Sequence, residues 1–170
     1  MSHILIIYYS WSGNTRKIAR IIQKEVGGDM VEIIPENPYP SSYNATVEQA
    51  KKEIKMDYKP PIKTKIEDIE KYDIIFVGTP NWWSTIAPPV ATFLTQHNLS
   101  GKTIIPFITH GGGGQGRVVS DIKRLCPESK VLEPLSIYEG GSTDLREKIL
   151  EWLKKLPIKR GENNEDKRSM

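Results

Sequence analysis

Ser10-Trp11-Ser12-Gly13-Asn14-Thr15 decides the fold of this chain, because of what lies on either side of it. His3-Ile4-Leu5-Ile6-Ile7-Tyr8-Tyr9 runs into it as a short apolar β-type segment. Ile18, Ile22 and Val26 leave it at helical spacing. A strand therefore feeds a hydroxyl-rich turn that opens a helix. That geometry aims main-chain N–H groups and the positive helix end at one point, which is a site for an anion. Ser10, Ser12, Asn14 and Thr15 add side-chain donors there. No Lys or Arg stands within the turn, so its donors are neutral and suit a phosphate monoester that is held rather than transferred. The plainer alternative is a helix N-cap, which Ser, Thr and Asn favour. Four hydroxyl or amide side chains in six positions exceed what one cap uses, and the phosphate reading is preferred.

The whole chain has 170 residues, which fits one domain with room for a layered core. No apolar run approaches the ~20 residues of a membrane span. The N-terminus shows no basic region followed by a cleavable apolar segment, so a cytoplasmic location is expected. Cys126 is the single cysteine, which excludes an internal disulfide and agrees with a reducing compartment. A formal charge of +3 is too small to argue for nucleic acid. No His, Cys or Asp cluster has metal-ligand spacing, so no metal is expected.

Five strand candidates, over residues 3–9, 30–34, 73–79, 103–109 and 131–137, alternate with helix candidates. Ile74-Ile75-Phe76-Val77-Gly78 and Thr103-Ile104-Ile105-Pro106-Phe107-Ile108-Thr109 are continuous apolar runs, as parallel strands covered on both faces require. Pro106 conflicts with its strand, since proline cannot donate to a ladder. Helices are read after Pro88-Pro89, along Val118, Ile122 and Leu125, and along Leu145, Ile149, Leu153 and Leu156. A long connection separates the second and third strands. It holds a weak helix with Val47, Ala50 and Ile54, and is where individual specificity is expected. Residues 157–170, polar and charged from Gly161 onward, are expected to be a disordered tail. The βα alternation predicts an open parallel sheet with helices on both faces and ligands at the carboxyl ends of the strands.

Two further loops stand at such ends. Gly78-Thr79-Pro80-Asn81-Trp82-Trp83 follows the third strand. Neighbouring side chains of an extended segment point opposite ways, so at least one tryptophan is accessible: either by accident of packing, or as a stacking plate for a planar ring. Thr109-His110-Gly111-Gly112-Gly113-Gly114 follows the fourth, and its bare backbone can approach a flat ligand closely or simply be mobile.

These motifs together resemble the flavodoxin family over residues 3 to about 156. The resemblance implies an α/β three-layer sandwich with a five-stranded parallel sheet of order 2-1-3-4-5, and a single FMN-binding domain over residues 1–156. It implies FMN with its phosphate on Ser10, Ser12, Gly13, Asn14 and Thr15, with Trp11 of the same turn also among the cofactor-binding residues. The ring would lie between Thr79, Pro80, Asn81, Trp82 and Trp83 on one side and Thr109, His110, Gly111, Gly112 and Gly113 on the other. Family carriers place glycine just after the stacking aromatic, where a peptide flips against the reduced ring. Trp83 stands there, and a tryptophan resists positive φ. That departure, and the glycines where a shielding tyrosine is usual, favour an oxidoreductase moving electrons from NAD(P)H through FMN to a quinone-like or other small acceptor. The short chain, with no obvious nicotinamide motif, favours the alternative, a one-electron carrier taking its electron from a redox protein and passing it to a partner protein. Arg16, Lys17 and Arg117 are the cations near enough in sequence to attract a dinucleotide phosphate. His110 is either a proton donor at the ring edge, hence the candidate catalytic residue, or a cap for its loop. His3, His97 and Cys126 read as structural.

Overall fold

A computed structural model of the chain describes residues 3–158. Strand β1 (Ile4–Tyr8) leads to α1 (Asn14–Val26), β2 (Asp29–Glu32) and α2 (Tyr43–Lys55). Then come β3 (Ile74–Trp82), β4 (Thr85–Ile86), α3 (Pro88–Gln96), β5 (Thr103–His110) and α4 (Val118–Leu125). β6 (Lys130–Val131), β7 (Leu135–Tyr138) and α5 (Leu145–Lys155) complete the order. β2, β1, β3, β5 and β6 lie side by side in that order, all in parallel, with β7 continuing the edge beside β5. This is the expected 2-1-3-4-5 arrangement, corrected from five strands to seven.

The two extra strands have local causes. β4 returns from β3 as a short antiparallel hairpin through Trp83 and Ser84. β6 and β7 are the expected fifth strand broken in two. Ile104 pairs with Val131 and Phe107 with Leu135, so the edge strand holds one more residue than β5 over the same stretch. Pro134 lies in that gap, and Ile105 and Pro106 of β5 face it. The proline that conflicts with a strand thus sits where the ladder on the edge side is interrupted.

Both faces of the sheet are buried, and side chains alternate between them as a two-residue period dictates. Leu5, Ile7, Ile75, Val77, Ile104 and Ile108 join Val90, Phe93 and Ile122 of α3 and α4 in one cluster. Ile4, Ile6, Phe76, Ile105 and Phe107 join Ile18, Ile22, Ile149 and Leu153 of α1 and α5 in the other. Ile158 packs on that second cluster, and residues 159–170 of the expected tail lie outside the described residues. Pro88 and Pro89 stand in the first turn of α3, where a missing N–H costs nothing. Among the described residues no helix is long and apolar enough to cross a membrane.

His97 is structural: its Nε2 accepts the Ile66 N–H at 3.1 Å and its ring stacks on Phe93 at 4.1 Å. Cys126 is buried, and burial pushes its thiol up to about 11, so it is a packing residue rather than a nucleophile.

Gly78 lies between Tyr8 and Phe107 in the three central strands. A Cβ there would meet the Phe107 ring at 2.3 Å and Tyr8 Cβ at 2.9 Å. Gly78→Ala is therefore expected to cost about 1–3 kcal/mol through overpacking. Urea unfolding checks this, and an unchanged midpoint would contradict the packing described.

Candidate functional site

The turn after β1 is built around Gly13, which caps α1 at φ 98 with no capping side chain of its own. A left-handed residue there costs glycine nothing, and it bends the chain from strand to helix. The Ser10 hydroxyl reaches forward to accept the N–H groups of Gly13 at 3.1 Å and Arg16 at 3.3 Å. The Thr15 hydroxyl is buried against that of Thr109, 3.0 Å away. So two of the four side chains read as ligand donors are used inside the protein: one caps, the other ties α1 to the end of β5. Ser12 and Asn14 are left lining a cavity, and the N–H groups of Asn14 and Thr15, which begin the helix beside it, have no acceptor within the helix. Arg16 reaches from the turn toward β2, with one guanidinium nitrogen 3.8 Å from where a Cβ on Gly13 would stand. Its Nε donates to Glu32 at 2.8 Å, the carboxylate that also accepts the Tyr8 hydroxyl at 3.0 Å.

The loop after β3 is a hairpin. Trp82 pairs with Thr85 across a two-residue turn in which Trp83 has φ 54 and Ser84 φ 69. Tight hairpins need positive φ at both central residues, and this one imposes it on a tryptophan. The expectation that Trp83 resists a left-handed backbone is thereby corrected: the strand pairing on either side outweighs a local cost of ~1–2 kcal/mol. Trp82 is half-buried, edge-on to Tyr9 at 5.5 Å and Tyr39 at 5.1 Å. Burial, then the carboxylates of Glu32 and Glu53, push the Tyr9 phenol well above its usual range, so it stays neutral. Trp83 remains 45% exposed. Thr79 is fully buried, and its hydroxyl accepts the Ala87 N–H at 3.0 Å and donates to the Pro80 carbonyl. It supports the loop and does not reach the cavity. Asn81 Nδ2 donates to the Gly114 carbonyl at 2.8 Å, tying this loop to the next.

In the loop after β5, the Gly112 N–H donates to His110 Nδ1 at 3.1 Å, and the His110 ring meets the edge of Tyr138 at 5.8 Å. A Cβ built on Gly111 or Gly112 would touch nothing within 4 Å, so the backbone there is bare.

The three loops meet at one cavity of ≈ 590 Å³. Trp11, Ser12 and Asn14 line it from the first, Pro80, Asn81, Trp82 and Trp83 from the second, and Thr109, His110 and Gly111 from the third. Ser10, Gly13, Thr15, Thr79, Gly112 and Gly113, named from sequence, stand behind or beside this lining. The sequence reading missed Tyr43, Thr46, Val47 and Ala50 of α2, and Glu139 and Gly140 after β7. Val47 and Ala50 were visible as a helical stripe, but periodicity does not tell a stripe facing a core from one facing a ligand. Among the described residues no three His, Cys, Asp or Glu side chains form a metal cage.

Comparison with known proteins agrees with this architecture. A family model described as flavodoxin matches residues 3–156, and the chain belongs to the flavodoxin family. A protein of Cupriavidus metallidurans named NAD(P)H dehydrogenase (quinone) is 34% identical over 159 residues, covering 86% of this chain and 77% of the relative. A crystal structure from Bacteroides eggerthii DSM 20697 superposes with a TM-score of 0.82 at 32% identity, covering 94% of this chain and 100% of that one. A Lactobacillus acidophilus NCFM flavoprotein solved in complex with FMN gives a TM-score of 0.72 at 25% identity, covering 90% of this chain and 99% of its own.

The buried Thr15–Thr109 hydroxyl pair makes a stability prediction. Thr109→Val leaves the Thr15 hydroxyl without its partner and is expected to cost about 1–3 kcal/mol. The Thr15→Val/Thr109→Val double variant should lose less than the sum of the single changes. Additive losses in a urea double-mutant cycle would contradict the pairing.

Proposed function

We propose that this chain is an FMN-dependent oxidoreductase that oxidises NAD(P)H and reduces a quinone-like or other small acceptor. The observation that carries the reading is the convergence of three strand-end loops, each with different chemistry, on one cavity of ≈ 590 Å³. That volume falls within the roughly 300–1,000 Å³ of small-molecule sites.

The residues fit FMN. The unpaired helix N–H groups of Asn14 and Thr15, with Ser12 and Asn14 beside them, would hold its phosphate, and the positive end of α1 favours that charge. The indoles of Trp82 and Trp83, with the bare backbone at Gly111 and beyond, would hold the flat ring. FMN supplies the electron chemistry when bound, and the protein orients it. The overall reaction is NAD(P)H plus a proton plus quinone giving NAD(P)⁺ and hydroquinone.

His110 is assigned to the acceptor's oxygen as a hydrogen-bond donor, with the reaction's proton drawn from solvent. Because Nδ1 accepts the Gly112 N–H, the ring's own proton is held on Nε2. The bond that caps the loop therefore also leaves Nε2–H as the ring's donor, and His110, which lines the cavity, is suited to hydrogen-bond the oxygen of a carbonyl acceptor. The Cupriavidus relative's name supports both the donor and the acceptor class.

One observation favours a second reading, a one-electron carrier between partner proteins. Arg16 is bound to Glu32, and Lys17 Nζ donates to the Gly140 carbonyl at 3.3 Å, so two of the three cations expected to attract a dinucleotide already have partners within the protein. Steady-state oxidation of NADH and NADPH with added 1,4-benzoquinone separates the two. Saturable turnover is expected, and FMN-loaded protein that neither nucleotide reduces would leave the carrier.

Ser12→Ala is expected to weaken FMN binding by about 1.5–3 kcal/mol, the range for a hydrogen bond to a charged group. Riboflavin, which has no phosphate, should bind the variant and the parent alike. Fluorescence titration with both ligands checks this, and equal weakening would move the phosphate away from this turn.

A further inference from the structure

The cavity has a wall that none of the three strand-end loops supplies. Tyr43, Thr46, Val47 and Ala50 stand at i, i+3, i+4 and i+7 of α2 and form one face of that helix along the cavity. We propose that this face of α2 is the acceptor subsite, and that it takes a planar, uncharged ring bearing a carbonyl oxygen. The proposal rests on the oxidoreductase reading and names its substrate side.

The chemistry of the wall selects such a ring. The polar atoms close to it are already used within the protein. The Thr46 hydroxyl donates to the Pro40 carbonyl at 2.7 Å, and the indole N–H of Trp83 donates to the Val47 carbonyl at 3.0 Å. What α2 offers the cavity is therefore the half-buried Val47 side chain and the Tyr43 ring, which is 69% exposed, with the Ala50 methyl group buried beneath them. Glu53 of the same helix is turned away, accepting from Tyr39 and Gln49. Among the described residues no Lys or Arg lines the cavity, and Glu139 is its one carboxylate. The Lys51 ammonium of α2 is held over the Trp83 ring, 5.2 Å from its centroid, outside the lining itself, and an apolar ring would lose water on contact with the wall. His110 lines the same cavity and offers an N–H donor for the ring's oxygen.

The position of the wall is set from the site loops. Besides the Trp83 bond to Val47, the Trp11 indole donates to the Pro40 carbonyl at 3.1 Å, and the Trp11 ring lies tilted against Tyr43 at 6.2 Å. Two tryptophans from two different strand ends thus hold the long β2–β3 connection over the cavity. Trp11 and Trp83 are positioning residues in this account, as well as lining ones.

Steady-state kinetics of the FMN-loaded protein with 1,4-benzoquinone, 1,4-naphthoquinone and 9,10-phenanthrenequinone test this. Val47→Phe narrows the wall and is expected to raise KM for 1,4-naphthoquinone at least tenfold, more than for 1,4-benzoquinone, with one FMN per chain retained. Tyr43→Ala, at an exposed position that leaves the core intact, is expected to shift preference toward 9,10-phenanthrenequinone. A sulfonated naphthoquinone should be the poorer substrate of the parent chain. Unchanged KM ratios in both variants would overturn the subsite, and so would loss of FMN from Val47→Phe, which would put the cofactor itself against α2. If the parent chain holds FMN but shows no turnover, the oxidoreductase reading fails by itself. The subsite is then read from saturation-transfer NMR of 1,4-naphthoquinone: binding weakened by Val47→Phe upholds it, and no binding to the parent chain overturns it.

Discussion

Gly78, packed between Tyr8 and the Phe107 ring, is the contact on which the rest of the molecule depends. Its missing side chain lets β1, β3 and β5 come together in parallel, close to the point where all three end. Because the strands are parallel, their carboxyl ends fall on one side of the sheet, and so do the loops that follow them. The Thr15–Thr109 hydroxyl pair and the Asn81 bond to Gly114 then join those loops to one another. The site is a consequence of strand register before it is a consequence of any one residue.

The fold was largely legible in the sequence because its signals are local. A strand stretch buried on both faces must be apolar, and β1, residues 74–78 of β3 and residues 104–108 of β5 are. Pro88-Pro89 and the stripes of α4 and α5 mark helices for equally local reasons. Two features escaped because they are settled across the sheet. The break between β6 and β7 depends on one additional residue relative to β5. The β4 hairpin depends on Trp82 finding Thr85, and it holds Trp83 at a positive φ that no propensity argument would assign to tryptophan.

At the site, residue types were easier to read than roles. Ser12, Asn14, Trp82 and His110 line the cavity as their positions suggested. Ser10, Thr15 and Thr79 carry hydroxyls of the right kind, and each also holds a loop. A hydroxyl in a site loop has the same appearance in sequence whether it faces the ligand or the scaffold. The α2 wall was missed for the converse reason. Its residues look like an ordinary core stripe, and only the tertiary contacts of Trp11 and Trp83 turn that stripe toward the cavity.

The central claim is that the flavin sits where these three strand ends meet. Amide chemical-shift mapping of the apoprotein titrated with FMN tests it most directly. The account predicts saturable shifts at one FMN per chain, concentrated at Ser12–Thr15, Asn81–Trp83 and His110–Gly113. Shifts centred instead on the separate cavity beside Lys59, Arg117 and Arg124, or none at millimolar FMN, would contradict it.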